Sequence, residues 1–138
     1  MFLDTTFCID LMRERRRGSI GPATRKLQEL GDTPLHVSIF VVCELHAGAR
    51  LATRSAEELA RVERLLDRVE LVLPDATFAV AYGEAEATLR KKGQPIPTMD
   101  LLIGVLAKQH GLPLLTRDAT HLSKVPGLVL ETYRGPSR

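Results

Sequence analysis

The chain has 138 residues, 44% hydrophobic and 26% charged, the balance of one soluble globular domain large enough to bury a core. Its longest apolar runs reach about seven residues, far short of the roughly 20 that span a bilayer, and the opening MFLDTTFCID carries an acid and no basic flank, so a membrane protein and a signal peptide are excluded and a cytoplasmic protein is expected. The net charge of +2 by itself points neither toward nucleic acid nor away from it.

In chain order, Met1–Leu3 reads as a short first strand, and Asp4-Thr5-Thr6 as the turn into a helix. Phe7, Cys8, Leu11 and Met12 repeat at helical spacing, and the run Arg13-Glu14-Arg15-Arg16-Arg17 leads to a stop at Gly18. Pro22 suits the first position of a second helix, closed by Gly31. Leu35-His36-Val37 is a second strand. Ser38 caps a third helix that runs to Leu51 and holds Glu44 among Phe40, Val41, Val42, Cys43 and Leu45. Ser55 with Glu58 three residues on forms a capping box for a charged fourth helix ending near Asp67 or Val69.

Leu71-Val72-Leu73 is a third strand, and Asp75 the cap of a long alanine-rich helix ending at Gly93. After the stiff Gln94-Pro95-Ile96-Pro97 connection, Thr98 caps a helix with Asp100 in its first turn, where the dipole tolerates an anion. That helix stops at Gly111, and Leu114-Leu115-Thr116 is a buried strand running into Arg117-Asp118. Leu128-Val129-Leu130 is the last strand, with a polar tail over about residues 133–138. Strands interleaved with helices, without repeat or linker, give a single α/β domain over residues 1–138, with a small central parallel sheet of four or five strands flanked by helices.

Functional groups in such sheets gather beyond the carboxyl ends of the strands. Asp4, Glu44, Asp100 and Asp118 each fall just past a strand or at a helix start. Carboxylates collected at one edge repel one another unless a cation is shared, and hard oxygen ligands suit Mg²⁺ or Mn²⁺. Setting those four aside leaves 13 of the 17 acidic residues facing 19 basic ones. An acidic pit in a basic surround suits a metal site that receives a polyanion. Each acid also has an ordinary reading: Asp4 as a cap, Asp100 as a dipole partner, Asp118 as a turn aspartate, Glu44 as an outward-facing residue between apolar faces. The two cysteines, Cys8 and Cys43, sit in apolar runs without a CxxC pair, which reads as buried small hydrophobes, and the four scattered histidines argue against zinc. Aromatic residues total 4%, too few for a base-stacking platform.

The segments Leu3-Asp4-Thr5-Thr6, Ser38 to Leu45, Met99 to Gly104 and Leu115 to Leu122 together resemble the PIN-domain ribonucleases. The nearest group is the VapC-type toxins of prokaryotic toxin–antitoxin pairs. The resemblance spans nearly the whole chain and keeps the order of the acids. It implies an endoribonuclease dependent on Mg²⁺ or Mn²⁺, with Asp4, Glu44, Asp100 and Asp118 as catalytic acids. Asp4 and Asp100 would be the principal metal ligands, Glu44 and Asp118 ligands directly or through water, and Thr116 and Thr6 supporting polar groups. It also implies an RNA substrate, a cognate antitoxin seated on an apolar groove near Phe7, Leu11, Met12 and the third helix, and a homodimer using the alanine-rich helix. Arg13, Arg15, Arg16, Arg17 and Arg117, with the Arg90-Lys91-Lys92 group, are candidate RNA-phosphate contacts, set against solvated helix ends. The alternative from another class is a non-cleaving binding module that uses the acidic edge for a structural metal or a basic partner segment. A phosphoaspartyl hydrolase fits less well, because Thr5-Thr6 follows the first acid where such enzymes use Asp-x-Asp.

Overall fold

A computed structural model describes residues 1–133. Five strands, β1 (Phe2–Leu3), β2 (His36–Ser38), β3 (Glu70–Val72), β4 (Leu114–Thr116) and β5 (Leu130–Thr132), form one parallel sheet in the order β3-β2-β1-β4-β5. Six helices flank it: α1 (Thr5–Arg17), α2 (Pro22–Leu30), α3 (Ile39–Leu51), α4 (Ser55–Leu66), α5 (Phe78–Lys91) and α6 (Thr98–Gln109). The strand order reverses at β1, which pairs with β2 on one side and β4 on the other. That reversal opens a crevice beyond the carboxyl end of β1, and Asp4 is the first residue into it.

Short strands suffice because both faces of the sheet are covered. Phe2, Leu3, Val37, Leu114 and Leu115 are all essentially inaccessible, as are Phe7, Leu11 and Val41 of the helices packed on them. A second cluster, around Phe78, Leu89, Leu101, Val105 and Leu106, locks α5 to α6. Here the alanines of α5 permit close approach.

The helix limits follow local chemistry where a residue can act alone. Gly18 closes α1 in the left-handed region at φ 64°, and the Ser38 hydroxyl accepts the Val41 amide at the start of α3. Pro22 opens α2 and Gly31 closes it, but competing contacts, some local and some distant, shift other boundaries. Ser55 is the first residue of α4 and makes no capping box, because Glu58 is drawn sideways to Arg16 and Arg61. Asp75 heads a turn, accepting the Thr77 amide and hydroxyl, and α5 begins two residues later than its cap would require. Thr98 lies inside α6 with Pro97 at the cap position. Strand β2 ends one residue later and β3 one earlier than expected, so that His36, Val37 and Ser38 align with Glu70, Leu71 and Val72. Strand β5 lies two residues later, since Val125–Leu128 forms a turn with Gly127 at φ 76°. Tyr133, placed in the polar tail by sequence, is buried; the rest of that tail lies outside the described residues. Cys8 is buried but Cys43 is exposed, contrary to expectation, because it faces away from the sheet on α3.

One contact joins α1 to α2 without any local signature. The Glu14 carboxylate accepts the amides of Gly21, Ala23 and Thr24 at 2.9, 2.9 and 2.8 Å and the Thr24 hydroxyl at 2.7 Å. Pro22 has no amide to satisfy, so a side chain from the preceding helix caps all the free donors at the start of α2.

Candidate active site

Asp4 occupies the crevice because the sheet delivers it there. Its amide donates to the Leu115 carbonyl at 2.9 Å, continuing the β1–β4 ladder one residue beyond the strand. Its backbone serves as the α1 cap residue, but its side chain caps nothing. Instead Oδ2 accepts the Thr116 hydroxyl at 2.7 Å, with the Thr6 hydroxyl at 3.3 Å. Both side-chain donors fall on Oδ2 and neither on Oδ1. The residue is only 6% exposed. Burial therefore raises its pKa above the ordinary aspartate value, the Thr116 hydroxyl and Thr5 amide pull back, and repulsion from Asp100 adds to the rise.

Glu44 lies half-buried on the side of α3, where its Oε1 accepts the Thr5 hydroxyl at 2.7 Å. This resolves the apparent conflict of an acid within an apolar segment: the side chain leaves the core and turns toward the residue after Asp4. Asp100, in the first turn of α6, has Oδ2 3.0 Å from His121 Nδ1. Asp118 is exposed and engaged locally. Its Oδ1 accepts the Thr120 amide and hydroxyl, which hold its pKa below the usual range. The structure thus brings Asp4 and Asp100 within electrostatic reach, joins Glu44 to them through Thr5, and leaves Asp118 at the margin.

Among the described residues no group of three or more His, Cys, Asp or Glu closes into a metal-binding cluster. The donor set nevertheless fits a hard divalent cation. It is all oxygen apart from His121, and Asp4 is a desolvated anion pressed by a second anion. A cation that keeps several waters needs few protein ligands. Asp4 and Asp100 are the residues that could hold it directly, and Glu44 and Asp118 could reach it directly or through water.

Sequence reasoning did not find Asp10 and Tyr133. Asp10, 2% exposed, accepts the Tyr133 hydroxyl at 2.6 Å on Oδ2 and Arg117 Nη1 at 2.8 Å on Oδ1. Burial and the Asp10 carboxylate drive the Tyr133 phenol pKa upward, so the hydroxyl stays a donor. Asp10 shares the helical face of Phe7 and Leu11, and that spacing was the available signal. Thr5 and His121, the partners of Glu44 and Asp100, carried no signal in isolation.

The basic residues divide. Arg117 is tied to Asp10 and Arg16 to Glu58 at 3.3 Å. Arg13 borders a groove of about 190 Å³ between α1, α3 and α4, which reaches Glu44 and has Ile9, Met12, Leu45 and Val62 on its walls. Arg15 and Arg17 are exposed, Arg15 near the like charge of Arg68. Of the three α1 residues expected near a partner groove, Phe7 and Leu11 are in the core and Met12 lines this groove, with Ile9 beside it.

Comparison with known proteins identifies the fold. The chain is 27% identical over 131 residues to the tRNA(fMet)-specific endonuclease VapC of Salmonella typhimurium, covering 95% of this chain and 96% of the relative. It superposes on VapBC2 from Rickettsia felis bound to a DNA fragment from their promoter with a TM-score of 0.86 at 24% identity, covering 96% and 97% of the two chains. With DNA-bound VapBC from Salmonella typhimurium the TM-score is 0.84 at 27% identity, covering 95% and 96%. No described helix is long and apolar enough to cross a membrane. The PIN domain family model matches residues 1–128, a span that takes in all four acids and every strand except β5, and the chain therefore belongs to the PIN-domain family.

Proposed function

We propose that the chain is a Mg²⁺- or Mn²⁺-dependent endoribonuclease acting in the cytoplasm as the toxin of a toxin–antitoxin pair. The observation that carries the reading is Asp4: a buried carboxylate at the sheet's reversal point, its rotamer fixed by Thr116, pressed by Asp100. An isolated buried anion is expensive, and one held beside another anion is a device for cation binding rather than for stability. The names of the Salmonella relative and of the VapBC structures support the same activity and setting.

A bound divalent cation would supply Lewis acidity toward the phosphate and acidify the attacking water. This chain's residues do the rest. Asp4 and Asp100 hold the charge at the crevice, and Thr116 and Thr6 keep Asp4 from rotating away. Glu44, aimed by Thr5 through Oε1, has Oε2 available to take the proton from water. The water oxygen bonds to phosphorus in line with the departing 3′-oxygen, which takes a proton from solvent as its bond breaks. The products are a 3′-hydroxyl and a 5′-phosphate. Asp118 acts at a distance, as part of the field.

Purified protein incubated with bulk RNA should cleave it with Mg²⁺, stop with EDTA, and be inactive as Asp100→Asn. Full cleavage by Asp100→Asn would sink the assignment. Metal and RNA binding without cleavage would favour the non-cleaving module, whose support is the pairing of Asp100 with His121 and of Asp118 with Thr120.

The groove beside Glu44 is the proposed antitoxin seat, with apolar Ile9, Met12, Leu45 and Val62 for an amphipathic segment and a basic residue of that partner directed at the acids. Exposed Val80 on α5 and Leu71 and Leu73 around β3 support a homodimer through that side. A strictly monomeric elution at micromolar concentration would argue against it.

A further inference from the structure

Asp10 takes no part in the acidic edge, yet it is a carboxylate buried on the core side of α1. Such a group persists only with partners that satisfy it. Its two partners come from distant parts of the chain: Tyr133, just past β5, and Arg117, just past β4. Arg117 directly follows Thr116, whose hydroxyl holds Asp4. The Arg117 amide donates to Thr6 Oγ1 at 3.2 Å, and that oxygen lies 3.3 Å from Thr116 Oγ1. The backbone of Arg117 is therefore pinned to the site by one set of hydrogen bonds and its guanidinium by another. A guanidinium has five N–H donors. Asp10 takes one, and the side chain remains 39% exposed at the rim of the crevice. Surface arginines usually lose several rotatable bonds on binding; this one is already ordered. An acidic crevice repels a polyanion, so a fixed cation on its rim meets a specific need.

Resting on the ribonuclease reading above, we propose that Arg117 binds a backbone phosphate of the RNA beside the acidic edge, and that Asp10 and Tyr133 are positioning residues that aim its guanidinium there. Arg16, by contrast, is engaged by Glu58 on the far side of the groove.

The experiment uses the full chain with bulk tRNA or bulk ribosomal RNA, whichever the wild type cleaves. Arg117→Gln should raise KM about tenfold with kcat within about threefold, as expected for loss of a binding contact made equally in ground and transition states. In a cleavage-dead Asp100→Asn background, the same change should lower the salt slope of RNA binding by about 0.7, the value for one phosphate on a single strand. Asp10→Asn keeps the shape and an acceptor for Tyr133 but releases Arg117, and should raise KM by several-fold. Arg117→Gln leaves Asp10 buried without its cation, so the double variant Asp10→Asn/Arg117→Gln, which removes both charges, guards against a folding defect. It should match Arg117→Gln in KM and salt slope. A purely structural role would move the melting temperature and leave KM and salt slope unchanged in these variants, which overturns the proposal. If the wild type cleaves neither RNA, the ribonuclease reading fails first and this one with it.

Discussion

Replacing Glu14 by Ala should unfasten α2. The wild-type carboxylate accepts three amides and one hydroxyl at 2.7–2.9 Å. Those amides include the two that α2 leaves free after Pro22, and the helix has only nine residues, too few to be stable alone. Losing a cap costs about 1–2 kcal/mol, and losing an anion at a helix N-terminus roughly another 0.5 kcal/mol, so a loss of about 2 kcal/mol is expected. For a domain of this size that is roughly 8 °C in Tm. The loss should depend on pH in a defined direction. Partial burial pushes the Glu14 carboxyl up, but the Thr24 hydroxyl and the amides of Thr24, Ala23 and Gly21 outweigh it and hold the folded value below 4.5. A depressed folded pKa means stabilisation that is present above the unfolded value and lost as pH falls through the folded one. Denaturant titrations should thus show the full gap between wild type and Glu14→Ala at pH 7, closing as pH drops below about 4.5. Gly21→Ala is the matched control. Its backbone conformation suits alanine, but a Cβ there would sit 2.6 Å from Glu14 Cδ and displace the cap. It should lose a similar amount, and the double variant little more than either alone. A Glu14→Ala midpoint within about 1 °C of wild type, or a gap that persists undiminished at pH 3, would refute the reasoning.

Asp4→Asn should abolish cleavage while making the metal-free protein more stable at neutral pH. The raised folded pKa makes the charged form a liability whose effect grows as pH rises through that value, so the advantage of Asn should vanish below the ordinary aspartate range; an Asn variant less stable at pH 8 than wild type would contradict this. Asp10→Ala, which leaves the buried Tyr133 hydroxyl without its acceptor and releases the part-exposed Arg117 guanidinium to solvent, should cost about 1–3 kcal/mol in chemical denaturation, and a loss under about 0.5 kcal/mol would show the network to be dispensable. A thiol reagent should modify one cysteine, Cys43, in the native protein and reach Cys8 only on unfolding, since burial both shields Cys8 and pushes its thiol pKa up. Two equivalents of rapid native modification would be inconsistent with that packing.

What the sequence made legible was whatever local chemistry decides. Strand-helix alternation placed the strands and α-helices within a few residues, and acids after strands or at helix starts picked out Asp4, Glu44, Asp100 and Asp118, of which Asp4 lies in the crevice with Asp100 within electrostatic reach. Ser38 capped its helix as its type predicts. Where a distant residue competed, local rules failed: Glu58 left the Ser55 box for Arg16 and Arg61, and Glu14 became the cap of a helix it does not belong to. Asp118 followed the turn chemistry of its own type and joined Thr120. Asp10 was missed because a single acid in a charged helix looks solvated until its phase with Phe7 and Leu11 is counted. Its partners lie 107 and 123 residues away.

The central place of β1 in the sheet bears on the order in which the molecule can be made. β1 precedes the other four strands, yet one of its two neighbours, β4, begins only at Leu114, after β2, β3 and all six helices. Such long-range pairing is slow to form. A nascent chain that has already presented Asp4 still lacks the Leu115 carbonyl that anchors its backbone and the Thr116 hydroxyl that fixes its side chain. The crevice is assembled late, from segments 112 residues apart in the chain. A truncated or stalled product would carry most of the acids and none of their geometry.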